Sequence, residues 1–332
     1  MSSQAQLDFF GVKRSKRESH CKNHNKKIPP FPYTKPTLVQ ADQSFLQLKN
    51  EQLNLVDKKW NAKGGITGSL LIPKSKNGMK ASDYFHWQAR MSCDSLNSPS
   101  PIRSWYDKKI RKSVESSIYY KENPAQALAL RKYIASQFRP SSAKILIEHF
   151  DVKKWYDPCG GWGDRMLSAQ ATGIEYFCRD VNPLVFSGYA LQQQHFGGNV
   201  SFELKGSEID CPEKEYFDFV FTSPPYYKIE KYSGEKQSYK LFKKFEEWVI
   251  GFLIPMLSNS WDSLKPKGVF AINVANVYAN HEVNNICDPV LNFIKKRSND
   301  VRFIGYPMSL RPNTKISKKL PYCEPIIVGV KS

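Results

Sequence analysis

Short apolar runs recur near 154–156, 176–178, 217–221, 269–275, 301–306 and 325–330, and helical segments separate most of them. Few folds accommodate such a succession. It predicts an α/β domain with a largely parallel sheet. The last two runs are joined without a helix, by Pro307 to Pro321, so they are expected to pair as an antiparallel hairpin at the sheet edge. Just upstream, Asn123-Pro124 is predicted to open a helix reaching about Gln137, with Asn as cap and Pro in the first turn. Arg139-Pro140-Ser141-Ser142 interrupts it, and a second helix is expected to about Phe150.

The charge is uneven. Of the formal net +18, residues 1–150 carry +15 and residues 151–332 carry +3. Such asymmetry suggests contact with a polyanion, although a merely soluble basic surface gives the same composition. Residues 1–40 are expected to be a disordered basic tail, with Lys13-Arg14-Ser15-Lys16-Arg17 and the extended, Pro-rich Ile28-Pro29-Pro30-Phe31-Pro32. Residues 41–122 interleave aromatics with cations. Arg103, Lys108, Lys109, Arg111 and Lys112 are the candidates for phosphate contact in a target-recognition, nucleic-acid-binding region.

The seven cysteines are scattered and never in C-x-x-C spacing, which fits a reducing compartment. His20, Cys21 and His24 lie close together but would need a distant fourth ligand, so no metal site is expected. No run approaches eighteen apolar residues, and the N-terminus lacks an apolar signal segment. Neither a membrane span nor secretion is expected, and the predicted location is cytoplasmic and nucleoid-associated.

Two motifs carry the chemistry. The first, Asp157-Pro158-Cys159-Gly160-Gly161-Trp162-Gly163, follows a predicted strand and opens a predicted helix. Glycines there let a ligand approach the backbone at an electropositive helix end. Asp180 ends the next predicted strand, where a carboxylate can take both hydroxyls of a ribose. The glycine spacing does not match the dinucleotide fingerprint. The second motif is a buried-type strand, Asp218 to Thr222, ending in Ser223-Pro224-Pro225-Tyr226. Two prolines fix an extended backbone without N–H groups, so neighbouring carbonyls can face a pocket. The aromatic after them can stack on a flat ring. Oxygens beside a stacking ring suit an exocyclic amine.

Together the motifs resemble the S-adenosylmethionine-dependent amino-methyltransferases of DNA with a Ser-Pro-Pro-Tyr loop, and the resemblance covers about residues 123–332. It implies a class I methyltransferase Rossmann-like sheet with a C-terminal antiparallel hairpin, plus a basic N-terminal region. It also implies that Asp157, Cys159, Gly160, Gly161 and Gly163 hold the methionine part of S-adenosylmethionine, with Phe138 and Pro140 flanking its amino-acid end. Asp180 matches the acidic residue on the ribose. Thr222 joins the cofactor set, and Ser223, Pro224, Pro225 and Tyr226 match the catalytic loop. Many relatives place an Asp on the adenine ring where this chain has Gly206-Ser207-Glu208, so Ser207 or Glu208 is expected to serve.

Ser at the first loop position is typical of the N4-cytosine branch, and Asp or Asn of N6-adenine. The leading expectation is therefore a DNA cytosine-N4 methyltransferase acting on a flipped or single-stranded base. Adenine-N6 and RNA base methylation are the alternatives, and a non-catalytic clamp-associated DNA-binding protein is the non-enzyme one. A cytosine-C5 enzyme needs a Pro-Cys nucleophile, which this loop lacks. Only about 60 residues separate the two motifs, so target recognition is assigned to 41–122. Lys228–Ser238 is either a loop closing over the base or a disordered connector. Finally, Gln6, Leu7, Phe9 and Phe10 resemble the short peptide that bacterial replication proteins insert into the sliding clamp.

Overall fold

The computed structural model describes residues 28–62, 65–279, 282–308 and 320–332. Phe31–Ser332 cluster as one unit. The chain leads in through α1 (Leu38–Asn50), whose Thr37 and Gln40 form a reciprocal capping box. A hairpin of β1 (Val56–Asn61) and β2 (Thr67–Leu71) precedes α2 (Met79–Met91) and the two-residue β3 (Asp94–Ser95). Three short helices follow: α3 (Pro101–Tyr106), α4 (Lys108–Glu115) and α5 (Pro124–Arg131). Then α6 (Pro140–His149) enters the alternating region of β4 (Lys154–Asp157), α7 (Asp164–Thr172), β5 (Glu175–Asp180), α8 (Pro183–Phe196), β6 (Val200–Leu204) and β7 (Phe217–Thr222).

Beyond the Ser223–Tyr226 loop lie β8 (Glu230–Lys231), α9 (Ser238–Leu241) and α10 (Phe245–Trp248). One π-helical turn, Val249–Leu253, joins α10 to α11 (Ile254–Asp262). The chain finishes with β9 (Leu264–Asn273), a small ladder of β10 (Val277–Ala279) and β11 (Glu282–Asn284), α12 (Cys287–Lys295), β12 (Val301–Pro307) and β13 (Cys323–Val330).

Nine strands form one sheet in the order β1-β2-β12-β13-β9-β7-β4-β5-β6. From β6 to β9 neighbours are parallel, and β13 runs antiparallel to both β9 and β12. This is the class I methyltransferase arrangement. Alternation along the central strands explains its two-sided core. Trp155, Phe219 and Phe221 pack on one face, and Tyr156, Val220, Phe270 and Ile272 on the other. The chain moves outward through β4, β5 and β6, then reverses through β7. The switch therefore lies between β4 and β7, where open α/β sheets bind ligands.

Three expectations are corrected. The antiparallel β12–β13 hairpin is present but not at the sheet edge, because β2 adds to β12 in parallel and β1 covers β2. The buried Trp60 explains the extension. Its indole N–H donates to the Leu70 carbonyl at 2.7 Å, and its ring fills the space left by Gly68 and Gly305, where a Cβ would come within 2.6 and 2.8 Å. The tail does not reach residue 40: the Phe31 ring meets Trp87 edge-on at 5.8 Å, and the Tyr33 hydroxyl donates to the Ala125 carbonyl at 3.0 Å. The helix opened by Asn123 stops at Arg131 rather than Gln137. Residues 41–122 also share the main sheet with the rest, so the boundary at 122/123 is not a break in the fold.

Candidate active site

The two motifs meet at the switch point. Trp155 and Tyr156 of β4 pair with Phe219 and Val220 of β7, which sets the turn after Asp157 beside the loop after Thr222. A cleft of about 610 Å³ lies between them, lined among others by Cys159, Gly161, Asp180, Glu208, Ser223 and Pro225. Gly161, Trp162, Ser223 and Tyr232 are shared with an adjoining, wider cleft that adds Phe138, Pro224, Tyr226, Asn273 and Glu324. Ser223 therefore faces both compartments.

The glycine turn is built to stay small. A Cβ on Gly160 would come within 2.7 Å of the Tyr189 hydroxyl and 2.9 Å of the Cys178 sulfur. Gly163 has φ +71°, and a Cβ there would overlap the His86 ring. His86 is fully buried, which depresses its pKa to about 3 and keeps it neutral beneath the turn.

Asp157 does not line the cleft. It is fully buried and accepts from Arg165 Nε at 2.6 Å, Tyr176 Oη at 2.8 Å and the Cys159 amide at 3.2 Å. Arg165 also donates to the Cys159 carbonyl. The pair braces the turn from below, so Asp157 positions the turn rather than holding a ligand.

Asp180 stands at the cleft. Its Oδ2 accepts the Gly161 amide at 2.9 Å and its Oδ1 the Asn182 amide at 2.8 Å. Burial raises its pKa to about 6, against the pull of these two amides. Of the two candidates beyond β6, the Ser207 hydroxyl is committed: it donates to the Pro158 carbonyl at 2.6 Å and accepts from Tyr156 Oη at 2.9 Å. Glu208 is the freer of the two. Its Oε2 is buried without a partner among the described residues, and desolvation raises its pKa.

Phe138 lines the wider cleft and stacks on Tyr306 at 4.7 Å. Pro140 and Thr222 are corrected: both are buried in the packing beside the site and line neither compartment. The Pro140 carbonyl accepts from Ser168 at 2.7 Å, and the Thr222 hydroxyl has no partner among the described residues.

In the Ser223–Tyr226 loop, the Tyr226 hydroxyl donates to Glu324 Oε2 at 3.0 Å and accepts from Asn273 Nδ2 at 3.2 Å. The tip of the ring is thus fixed while the ring lines the cleft. Asn273 and Glu324 escaped sequence reasoning, as did Trp162, Glu230 and Arg139. For Asn273 and Glu324 the available signal was a polar residue near the end of an otherwise apolar strand run. Lys228–Ser238 is neither free loop nor pure connector: Glu230–Lys231 pair with Asp94–Ser95 of β3, and Lys236, Gln237 and Ser238 line the smaller compartment.

Of the proposed phosphate contacts, Lys108, Lys109 and Lys112 are exposed on or beside α4 and Arg103 pairs loosely with Asp94 at 3.3 Å. Arg111 is corrected: it is buried, donating to the Trp105 carbonyl at 2.9 Å and pairing with Glu115 at 2.9 Å. Gln6, Leu7, Phe9, Phe10, His20, Cys21 and His24 lie outside the described residues. Among the described residues no group of three His, Cys, Asp or Glu could hold a metal ion, and no helix is long and apolar enough to cross a membrane.

No family model matches the sequence, and no curated protein sequence matches it. Solved structures with a similar fold include a SAM-dependent O-methyltransferase from Thermotoga maritima, 15% identical over 59% of this chain and 67% of that one, TM-score 0.39. A tRNA (m1A58) methyltransferase from Aquifex aeolicus is 10% identical over 60% and 71%, TM-score 0.39. A 1,6-didemethyltoxoflavin-N1-methyltransferase from Burkholderia thailandensis, with bound S-adenosylhomocysteine, is 16% identical over 57% and 76%, TM-score 0.37. The fold assignment rests on strand order, not on these likenesses.

Proposed function

We propose that this chain is an S-adenosylmethionine-dependent DNA methyltransferase acting on the exocyclic N4 amine of cytosine. The observation that carries the proposal is the shared wall of the two compartments. Ser223 of the Ser-Pro-Pro-Tyr loop borders both the pocket of Asp180 and Glu208 and the cleft of Tyr226.

The residues fit the cofactor. Asp180 offers a carboxylate to ribose hydroxyls beside a side-chain-free turn, and the unpartnered Glu208 oxygen offers an acceptor to an adenine amine. When bound, S-adenosylmethionine supplies an electrophilic methyl group on a sulfonium. The chain's task is to make a poor nucleophile competent. Cytosine's amine is conjugated with its ring. Acceptance of its two hydrogens by Ser223 Oγ and the Pro224 carbonyl favours a pyramidal nitrogen with its lone pair free. Positioning and electrostatic placement provide most of the rate. Tyr226 supports the base, which has to leave a duplex stack to reach the cleft. Lys108, Lys109, Lys112 and Arg103 hold the backbone of the DNA, and the peptide Gln6-Leu7-Asp8-Phe9-Phe10 tethers the protein to a sliding clamp.

Product identification tests this. The purified protein is incubated with S-adenosylmethionine and mixed-sequence DNA or RNA, the nucleic acid is digested, and the nucleosides are read by mass spectrometry. N4-methylcytosine in DNA is expected. N6-methyladenine, or a mark only in RNA, would overturn the choice of target. No mark and no cofactor binding would overturn the enzyme itself.

A further inference from the structure

We propose that Glu324 is the proton acceptor of the reaction, receiving the proton that the methylated amine gives up, with Asn273 as its positioning residue. This rests on the amino-methyltransferase reading above. When the amine's lone pair forms the new N–C bond, the methyl–sulfur bond of the sulfonium breaks and its electron pair stays on sulfur as a neutral thioether. The nitrogen becomes cationic and must lose one hydrogen as a proton. The loop supplies no base for it: Ser223 and Tyr226 are hydroxyls, and Pro224 and Pro225 have no titratable group.

The wider cleft is lined by three carboxylates, Asp164, Glu230 and Glu324. Glu230 is committed on both oxygens, accepting from Tyr133 at 2.8 Å on one and from Tyr232 on the other. Asp164 accepts from Ser82 and from Gln137 Nε2, the latter at 3.1 Å, both through Oδ1, and neither donor belongs to the Ser223 loop. Glu324 alone of the three is hydrogen-bonded to that loop. Its Oε2 accepts from Tyr226 Oη at 3.0 Å and Asn273 Nδ2 at 3.2 Å, while no hydrogen bond to Oε1 is found among the described residues.

Topology holds it there. Glu324 is the second residue of β13, Asn273 ends β9 and Ser223 follows β7, so three adjacent strand ends bring the group to the loop. Asn273 is 1% exposed and its Oδ1 is buried with no partner among the described residues. A buried amide oxygen left unsatisfied is costly unless a ligand serves it. A hydrogen-bond donor on an occupant of the cleft that Asn273 lines would serve it.

The surroundings make this carboxylate a stronger base than an ordinary glutamate. Burial raises the Glu324 pKa, while Asn273, Tyr226 and the Arg139 guanidinium lower it and Glu230 raises it further. Tyr133, Tyr306, Tyr322 and Cys287 are the other titratable groups that feel its charge.

The test is single-turnover methylation of a cytosine-containing DNA across pH 5 to 9, comparing the wild type with Glu324→Gln and Glu324→Asp. S-adenosylhomocysteine affinity is measured in parallel by calorimetry. Glu324→Gln is expected to slow the methyl-transfer step by about 10²-fold. It should leave S-adenosylhomocysteine affinity unchanged and lose the rise of rate with pH, and Glu324→Asp should restore part of both. A Gln variant with the wild-type rate, or one that keeps the rise, overturns the proposal. Should Gln fail to fold, the Glu324 carboxyl is titrated in the intact protein by carbon NMR, assigned through the Asp variant; titration in the ordinary glutamate range overturns it. A wild type that marks adenine fails the cytosine reading alone, because adenine's amine releases the same proton and the variants are compared on it. A wild type that marks nothing overturns both.

Discussion

Arg165→Met removes the cation of a pair in which Asp157 is 0% and Arg165 5% exposed. Three donations vanish: Nε to Asp157 Oδ2 at 2.6 Å, Nη2 to Oδ1 at 3.4 Å, and Nη2 to the Cys159 carbonyl. Asp157 keeps only Tyr176 Oη at 2.8 Å and the Cys159 amide at 3.2 Å. A carboxylate stranded in this way costs about 3–5 kcal/mol. For a chain of this size that is roughly 4–7 °C in midpoint. Thermal and urea unfolding by circular dichroism read the loss, and the urea slope should stay constant if only the native state is affected. Asp157→Asn in the Arg165→Met background removes the stranded charge and should recover about 1–3 kcal/mol. The reasoning is refuted if Arg165→Met loses under about 1 kcal/mol, a surface-pair value, or if the double variant is no more stable than the single.

Four further outcomes are expected. Cofactor affinity should fall about tenfold at pH 5, one unit below the Asp180 pKa of about 6, because proton uptake removes the acceptor for the ribose. Asp180→Asn should abolish that dependence in calorimetric titrations. Asp164 has a folded pKa of about 7 against 3.8, so the folded state binds its proton more tightly. Its contribution to stability is full below about pH 4 and is lost as pH rises to about 7; Asp164→Asn should flatten the pH dependence of the urea midpoint over that window. Replacing Lys108, Lys109 and Lys112 by Ala should lower DNA affinity and reduce the logarithmic salt slope by about 2.7. Arg111→Ala should instead lower the unfolding temperature, since that guanidinium is enclosed by the Trp105 carbonyl and Glu115.

The parts of the molecule legible in its sequence are those whose pattern is local. The glycine turn, Asp180 and the Ser223 loop each sit within a few residues of a strand end, and strand periodicity locates such ends. The helix starts at Asn123 and Pro140 are also local capping chemistry. What escaped is long-range. Tyr226 lies 47 residues from Asn273 and 98 from Glu324, and only the sheet order brings them together. The β1–β2 hairpin reads as polar loop because an edge strand needs few apolar residues, and β1 exposes four of its six. Among Lys108 to Lys112, spacing does not say which cation turns inward; the nearby Trp105 carbonyl decides it. The role of Asp157 could have been found, since Arg165 stands eight residues on in the same motif.

The partnership of β2 with β12 also bears on how the protein is made. Leu70 waits for Ile304, 234 residues downstream, before its strand gains its second neighbour. At about 5–20 residues per second, that is roughly 10–50 s of synthesis. During this interval Trp60 and Leu71, buried in the finished protein, have no sheet to cover them. The half made first carries +15 of the charge. Mutual repulsion between nascent chains would keep it from aggregating while its partners are still being translated.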